Sequence, residues 1–186
     1  DQLFAKRNRN HYWTMHLLSL LWIFNLGFNR PAVNEWQADA QCLLDQARSL
    51  LNVREVGANN RGPDVDKIIL FSGGKPGQAW CGYFQKFIHI KCGRKSGNGY
   101  SPSWFIPSRL VKSNQIPGDV FSIYNSGLKR IAHIGMVEMV LPNGKFIVTI
   151  EGNTGSFGVR DGGGVYRLTR PTKSIYNFAR WWNLRI

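Results

Sequence analysis

Cys81, His133 and Glu151 have the residue types and settings of an acyl-transfer site. Cys81 follows the Gly- and Pro-rich stretch Gly73-Gly74-Lys75-Pro76-Gly77 and opens an apolar run. At the start of a helix, unpaired N–H groups and the helix dipole favour a thiolate over a thiol. Taken alone, a cysteine there is as readily a small buried hydrophobe. His133 stands near the start of Ala132-His133-Ile134-Gly135-Met136-Val137, and a two-residue period puts it on one face with Gly135, Val137 and Met139. A glycine beside a histidine on a half-buried strand predicts close approach by another group. Glu151 ends the apolar run Phe146-Ile147-Val148-Thr149-Ile150, where a carboxylate needs a partner.

Between the two runs lies Pro142-Asn143-Gly144, a hairpin signal, because Asn-Gly readily takes the positive φ values of a type I′ turn. Counting outward from Gly144 brings Glu151 opposite the residues just before Met136, within reach of His133. Glu151 can then orient His133, and His133 can act as base toward Cys81. The chemistry implied is attack of the thiolate on an amide carbonyl, protonation of the leaving amine by His133, and hydrolysis of the thioester by water. It requires no cofactor and no metal.

The elements that must position these residues follow from periodicity. Residues 36–51 place Trp36, Ala40, Leu43, Leu44, Ala47, Leu50 and Leu51 on one helical face. Pro63 suits the first turn of a second helix over 64–71. A third helix begins at 79–81 and runs to about residue 90; its broad apolar surface predicts the central buried helix. Residues 93–118, rich in Gly, Ser and Pro, read as a surface loop. Beyond Pro117-Gly118 the period turns strand-like, over 119–124, 132–141, 145–151 and 165–168. Helices first and strands after predict an α+β domain, with N-terminal helices packed on a C-terminal antiparallel sheet.

In this arrangement the residues resemble a known family. Pro76-Gly77 and Trp80 before Cys81, Gly118-Asp119-Val120, Ala132-His133-Ile134-Gly135-Met136-Val137 and Thr149-Ile150-Glu151-Gly152-Asn153-Thr154 are similar to the CHAP domains of the NlpC/P60-like, papain-like group. The likeness runs over residues 43–170. It includes Arg54-Glu55-Val56-Gly57, Asn60-Arg61-Gly62 and Gly163-Gly164-Val165-Tyr166-Arg167. Those domains are peptidoglycan amidases and endopeptidases. The resemblance implies a papain-like fold, peptidoglycan as substrate, Cys81 as nucleophile, His133 as base, Glu151 as orienting acid and Asn153 as a supporting polar residue. In one respect the chain departs from the family: many members carry Gln-Cys where this chain has Trp80-Cys81. The second oxyanion donor is therefore open among Gln78, Asn59 and Asn60, the backbone N–H of Cys81 being the first. Trp80, Tyr83, Trp104 and Tyr124 are candidates to line a substrate groove, although aromatic residues at these spacings also serve as core.

Residues 1–40 form a separate basic and apolar segment, leaving 41–186 for the hydrolase domain. Lys6-Arg7-Asn8-Arg9 precedes an apolar run from Leu17 to Phe28. That is the layout of a secretory signal, shorter than the ~20 apolar residues of a membrane span. Ala38-Asp39-Ala40 is a candidate cleavage site, and Met15 an alternative start. The expectation is export to the periplasm, envelope or exterior, with anchoring or transient membrane contact through this segment as a variant. Of the three cysteines, Cys42 and Cys92 would pair in an exported protein or stay as two buried thiols; no C-x-x-C pair suggests structural zinc. The formal charge is +13, spread along the chain with no recognition-helix pattern. This argues against specific nucleic-acid readout and suits an anionic polymer such as cell wall, bound by a monomer. A wall-binding module without activity and a cationic nucleic-acid binder are the competing readings.

Overall fold

The computed structural model describes residues 35–156, 163–184 and 186. The chain divides into Asp1–Ala32 and Val33–Ile186. The apolar N-terminal run therefore lies outside the described residues, and no described helix is long and apolar enough to cross a membrane. Helix α1 spans Glu35–Ser49 and buries Ala40, Leu43, Leu44 and Ala47, the face expected from their spacing. It begins before the expected boundary at residue 41. It includes the candidate cleavage site. Ala38-Asp39-Ala40 is helical, Ala40 is core, and Asp39 pairs with Arg94. Helix α2 spans Pro63–Phe71, with Pro63 in its first turn, acidic Asp64 and Asp66 near its positive end, and Val65, Ile68 and Ile69 buried. Helix α3 spans Cys81–Lys91.

Six strands follow: β1 Leu110–Val111, β2 Val120–Asn125, β3 Arg130–Val140, β4 Phe146–Thr154, β5 Gly164–Pro171 and β6 Asn177–Ala179. They form one antiparallel sheet in the order β1-β6-β2-β3-β4-β5. The domain is thus α+β. Strand alternation splits the apolar residues between two layers. Met136 and Ile150 join Leu43, Phe84 and Ile88 in the core beneath the helices, while Val137 and Ile147 join Phe121 and Phe178 on the other face. A disulfide between Cys42 and Cys92 ties α1 to the end of α3 and leaves Cys81 free.

Three local expectations need correction. The β3–β4 connection runs over residues 141–145 and is closed by the Leu141 N–H donating to Phe146 O at 3.0 Å. Inside it Gly144 N–H donates to Leu141 O, and Asn143 sits at φ 70°, ψ −1°. Asn143 and Gly144 both take positive φ, 70° and 66°, as the Asn-Gly pair predicts, but the Gly144 N–H bond centres the hydrogen-bonded turn on Pro142-Asn143 instead of Asn143-Gly144. Residues 93–118 are more than a surface loop. They contain two 3-10 helices, Ser101–Trp104 and Pro107–Arg109, as well as β1, and they bury Ser101 and Trp104. Finally, β6 was not anticipated, since three residues are too few to show a period.

Candidate active site

Cys81 is the first residue of α3. The residue before it, Trp80, is fully buried, and its indole N–H donates to Glu55 Oε1 at 2.9 Å. Glu55 Oε2 in turn accepts from the backbone N–H of Asn60 at 2.9 Å. Trp80 is therefore an anchor for the helix start, not a groove wall. On the other side, a Cβ at Gly82 would lie 2.3 Å from the carbonyl oxygen of Gly99. Only a glycine lets the helix and the 97–101 segment pack backbone to backbone. This contact delivers the Ser101 hydroxyl to 3.3 Å from the Cys81 sulfur.

His133 projects from β3, and Glu151 from β4. The last paired residues of these strands are Met136 and Ile150. Beyond them Glu151 lies against Gly135, where a Cβ would stand 2.6 Å from Glu151 Cγ and 2.6 Å from the Phe121 ring. The glycine on the histidine's face thus makes room for the carboxylate. His133 Nε2–H donates to Glu151 Oε2 at 2.8 Å, leaving Nδ1 for its hydrogen bond with Cys81. Glu151 is fully buried and saturated. Thr149 Oγ1 donates to its Oε1 at 2.5 Å, and Arg170 grips both oxygens through Nε and Nη2, each at 2.6 Å.

The electrostatics favour an ion pair. Burial pushes the Cys81 thiol up, but the hydrogen bond and charge of His133, the Ser101 hydroxyl and a backbone hydrogen bond from Ile134 bring it below its ordinary value. Burial lowers His133, yet its bonds to Cys81 and Glu151 raise it to about 9. Burial raises Glu151, and Arg170 and His133 together hold it at about 2. Anionic sulfur, cationic imidazole and carboxylate then lie in one chain, the thiolate at a helix N-terminus. The set can deliver a nucleophile and a proton donor to one carbonyl group.

Among the described residues, two clefts open on Cys81. The larger, of about 370 Å³, is lined by Gln78 and Tyr83 among others; the smaller, of about 170 Å³, by His133 and Asn153. Of the oxyanion candidates, only Gln78 lines either cleft. Its Oε1 accepts from the Lys75 N–H at 2.7 Å and from the Tyr83 hydroxyl at 3.0 Å, so its NH₂ is left as the donor. Asn60 instead holds the turn at φ 57° with its backbone bonded to Glu55, and neither it nor Asn59 lines a cleft. Among the groove aromatics, only Tyr83 lines a cleft. Trp104 is core, packed on Trp181 with its indole N–H donating to Asn98 O. Tyr124 is exposed and stacks on Tyr176, its ring centroid 4.9 Å away. Asn153 adopts φ 57° beside His133, and its buried Oδ1 has no partner.

Thr149, Arg170 and Ser101 were not foreseen. Thr149 is two residues before Glu151 and shares its strand face, a signal present in the period. Arg170 and Ser101 come from distant segments that carry no such signal. Among the described residues, no three His, Cys, Asp or Glu side chains group as metal ligands would. Comparison of the chain with protein-family models and with curated proteins finds no match.

Proposed function

We propose that this chain is an exported cysteine hydrolase of papain-like, NlpC/P60-like fold that cleaves amide bonds in peptidoglycan, as an amidase or endopeptidase. The observation that carries the reading is the buried chain Cys81–His133–Glu151, with the sulfur at the start of α3 and the imidazole fixed from behind by a carboxylate. The Cys81 thiolate attacks the amide carbon, and the oxyanion forms against the helix N–H groups and the Gln78 amide. His133 gives its proton to the departing amine, then takes one from the water that releases the acyl group. The positive charge and the sequence resemblance support an anionic wall polymer as the substrate.

Purified sacculi test the proposal. The intact protein should release soluble fragments, and mass spectrometry of their new termini distinguishes cleavage at the sugar lactyl group from cleavage within the peptide. Cys81→Ala, which removes little volume, should release none while keeping its circular dichroism and melting temperature. Turnover by that variant would remove the catalytic assignment.

A further inference from the structure

Arg130 opens β3, three residues before His133, and lines both clefts that meet at Cys81. Its guanidinium carbon lies 5.6 Å from the centroid of the Tyr100 ring, and Nη1 donates to Ile131 O at 3.1 Å. These contacts hold the group in place while Nε and Nη2 keep their donors. Most arginines of the domain are spent. Arg48, Arg61, Arg94, Arg167, Arg170 and Arg180 each pair with an Asp or Glu. Arg54 is used on the carbonyls of Leu51, Val53 and Val165. No carboxylate of the described residues pairs with Arg130. Among those residues, no Asp or Glu lines either cleft. The thiolate and imidazolium largely cancel, so Arg130 sets the charge that an incoming substrate meets.

We infer that Arg130, seated on Tyr100, is a carboxylate subsite, and that the preferred substrate is an amide flanked by a residue with a free acid. A planar guanidinium with unused donors matches a carboxylate through paired hydrogen bonds, and an aromatic face beneath it keeps the fork oriented. A carboxamide of the same shape forfeits the charge-assisted part of that contact. This inference rests on reading Cys81 as the nucleophile of an amide hydrolase and deepens it by naming the chemical class of the substrate.

Two measurements separate the subsite from that reading. The first needs no turnover. Iodoacetate and iodoacetamide are close in size, and in both the Cys81 thiolate displaces iodide from the CH₂ group, forming one C–S bond and releasing I⁻. The iodoacetate-to-iodoacetamide rate ratio should fall roughly tenfold in Arg130→Gln and be partly kept in Arg130→Lys. Lys173→Gln, which removes the same net charge away from both clefts, should not move it. An unchanged ratio in Arg130→Gln would overturn the subsite. The second uses a wall stem peptide with its free acid next to the scissile bond, and the same peptide as carboxamide. The unmodified protein should cut the acid roughly tenfold faster, a preference that Arg130→Gln loses. Equal cutting of the two by the unmodified protein overturns the inference. If neither peptide nor sacculi are cut while the alkylation ratio shifts, the hydrolase reading fails and the carboxylate subsite stands.

Discussion

His133 and His89 are both buried, and their rings titrate on opposite sides of neutrality. Burial lowers each. At His89 the only compensation is the Nδ1–H bond to the Gln85 carbonyl at 2.8 Å; Nε2 has no partner, and the ring falls to about 4. At His133 the sulfur of Cys81 and the carboxylate of Glu151 overcome the same penalty and raise the ring to about 9. The contrast is sharper because α3 connects the two: it carries His89 itself and, eight residues earlier, the cysteine that His133 faces. A buried imidazole is therefore inert or reactive according to the charges that meet it. At the start of α3 two anions meet the ring; farther along, a carbonyl and the edge of Trp104 do.

The largest effect comes from making His133 resemble His89. Glu151→Gln keeps a hydrogen-bond acceptor but removes the charge, so the His133 titration followed by NMR should drop from about 9 toward the neutral range. Both kcat and kcat/KM should fall, by up to ~10⁴ as for a neutralised triad carboxylate, or less because the thiolate is already formed. The variant also leaves the Arg170 guanidinium without its partner, so its melting temperature should fall, and rates must be read well below it. An unmoved His133 titration would break the explanation of the contrast.

Next in size is Arg170→Gln, which leaves the triad itself intact. Breaking one half of a buried ion pair costs about 3 kcal/mol or more, and a loosened Glu151 should lower kcat by roughly 10- to 100-fold. The pH dependence has a definite sign. Glu151 at about 2, below its ordinary 4.5, contributes stability that is present above 4.5 and lost as pH falls toward 2. His133 at about 9, above its ordinary 6.5, contributes stability that is complete below 6.5 and lost as pH rises through 9. Activity should therefore decline above about 9, where the ring can no longer protonate the leaving amine. In Arg170→Gln the acid-side loss should begin at higher pH, because Glu151 binds its proton sooner. Urea unfolding across pH and a pH–rate profile check both statements.

The sequence made the meeting of Cys81, His133 and Glu151 legible for two reasons. Cys81 and His133 sit near boundaries that period and turn chemistry mark, although β4 runs on past Glu151 to Thr154 where the period put its end, and a hairpin converts sequence distance into register. Glu151 comes to lie against Gly135, within the window that counting from Gly144 predicts. The count survived even though the hydrogen-bonded turn is centred on Pro142-Asn143 and β3 carries a bulge between Val137 and Met139. What could not be read comes from segments far along the chain. Arg170 reaches Glu151 from β5, and Ser101 reaches Cys81 from a Gly-rich stretch with no period of its own. The glycines there did hold information. Gly97 and Gly99 are places where a Cβ would strike Trp104 and Tyr83, so they mark packing against aromatic residues, not slack chain. Trp80 and Trp104 were misplaced in the groove because residue type alone does not tell a core indole from a wall.

A smaller effect is expected at Ser101. Ser101→Ala removes one hydroxyl 3.3 Å from the sulfur and leaves His133 and the helix start in place. The thiol should titrate higher, and the iodoacetamide rate at mildly acidic pH should fall by a factor of about three to ten, the range of one ordinary hydrogen bond. The loss should shrink as pH rises and the thiolate forms regardless. A loss independent of pH would show that Ser101 acts on geometry instead of charge.

The smallest expected effect on turnover belongs to His89, and it tests the contrast from the other side. His89→Phe replaces the ring with an apolar one of similar outline. It sacrifices the Nδ1 bond but also removes the unpartnered Nε2, so stability near pH 8 should change by no more than about 1–2 kcal/mol. The two proteins should then diverge in acid. Folded His89 accepts a proton only at about 4, whereas the unfolded chain accepts it at 6.5. The folded state is therefore progressively disfavoured as pH falls from 6.5 to 4, by about 3 kcal/mol in all. His89→Phe has no such proton to refuse, so urea unfolding should show a flatter stability profile over that interval. Turnover on sacculi at neutral pH should stay within about twofold, since no charge near Cys81 changes. Parallel pH profiles for the two proteins would mean that His89 is not a neutral buried ring. A large loss of turnover at neutral pH would mean that packing along α3, as well as charge, sets the position of the nucleophile.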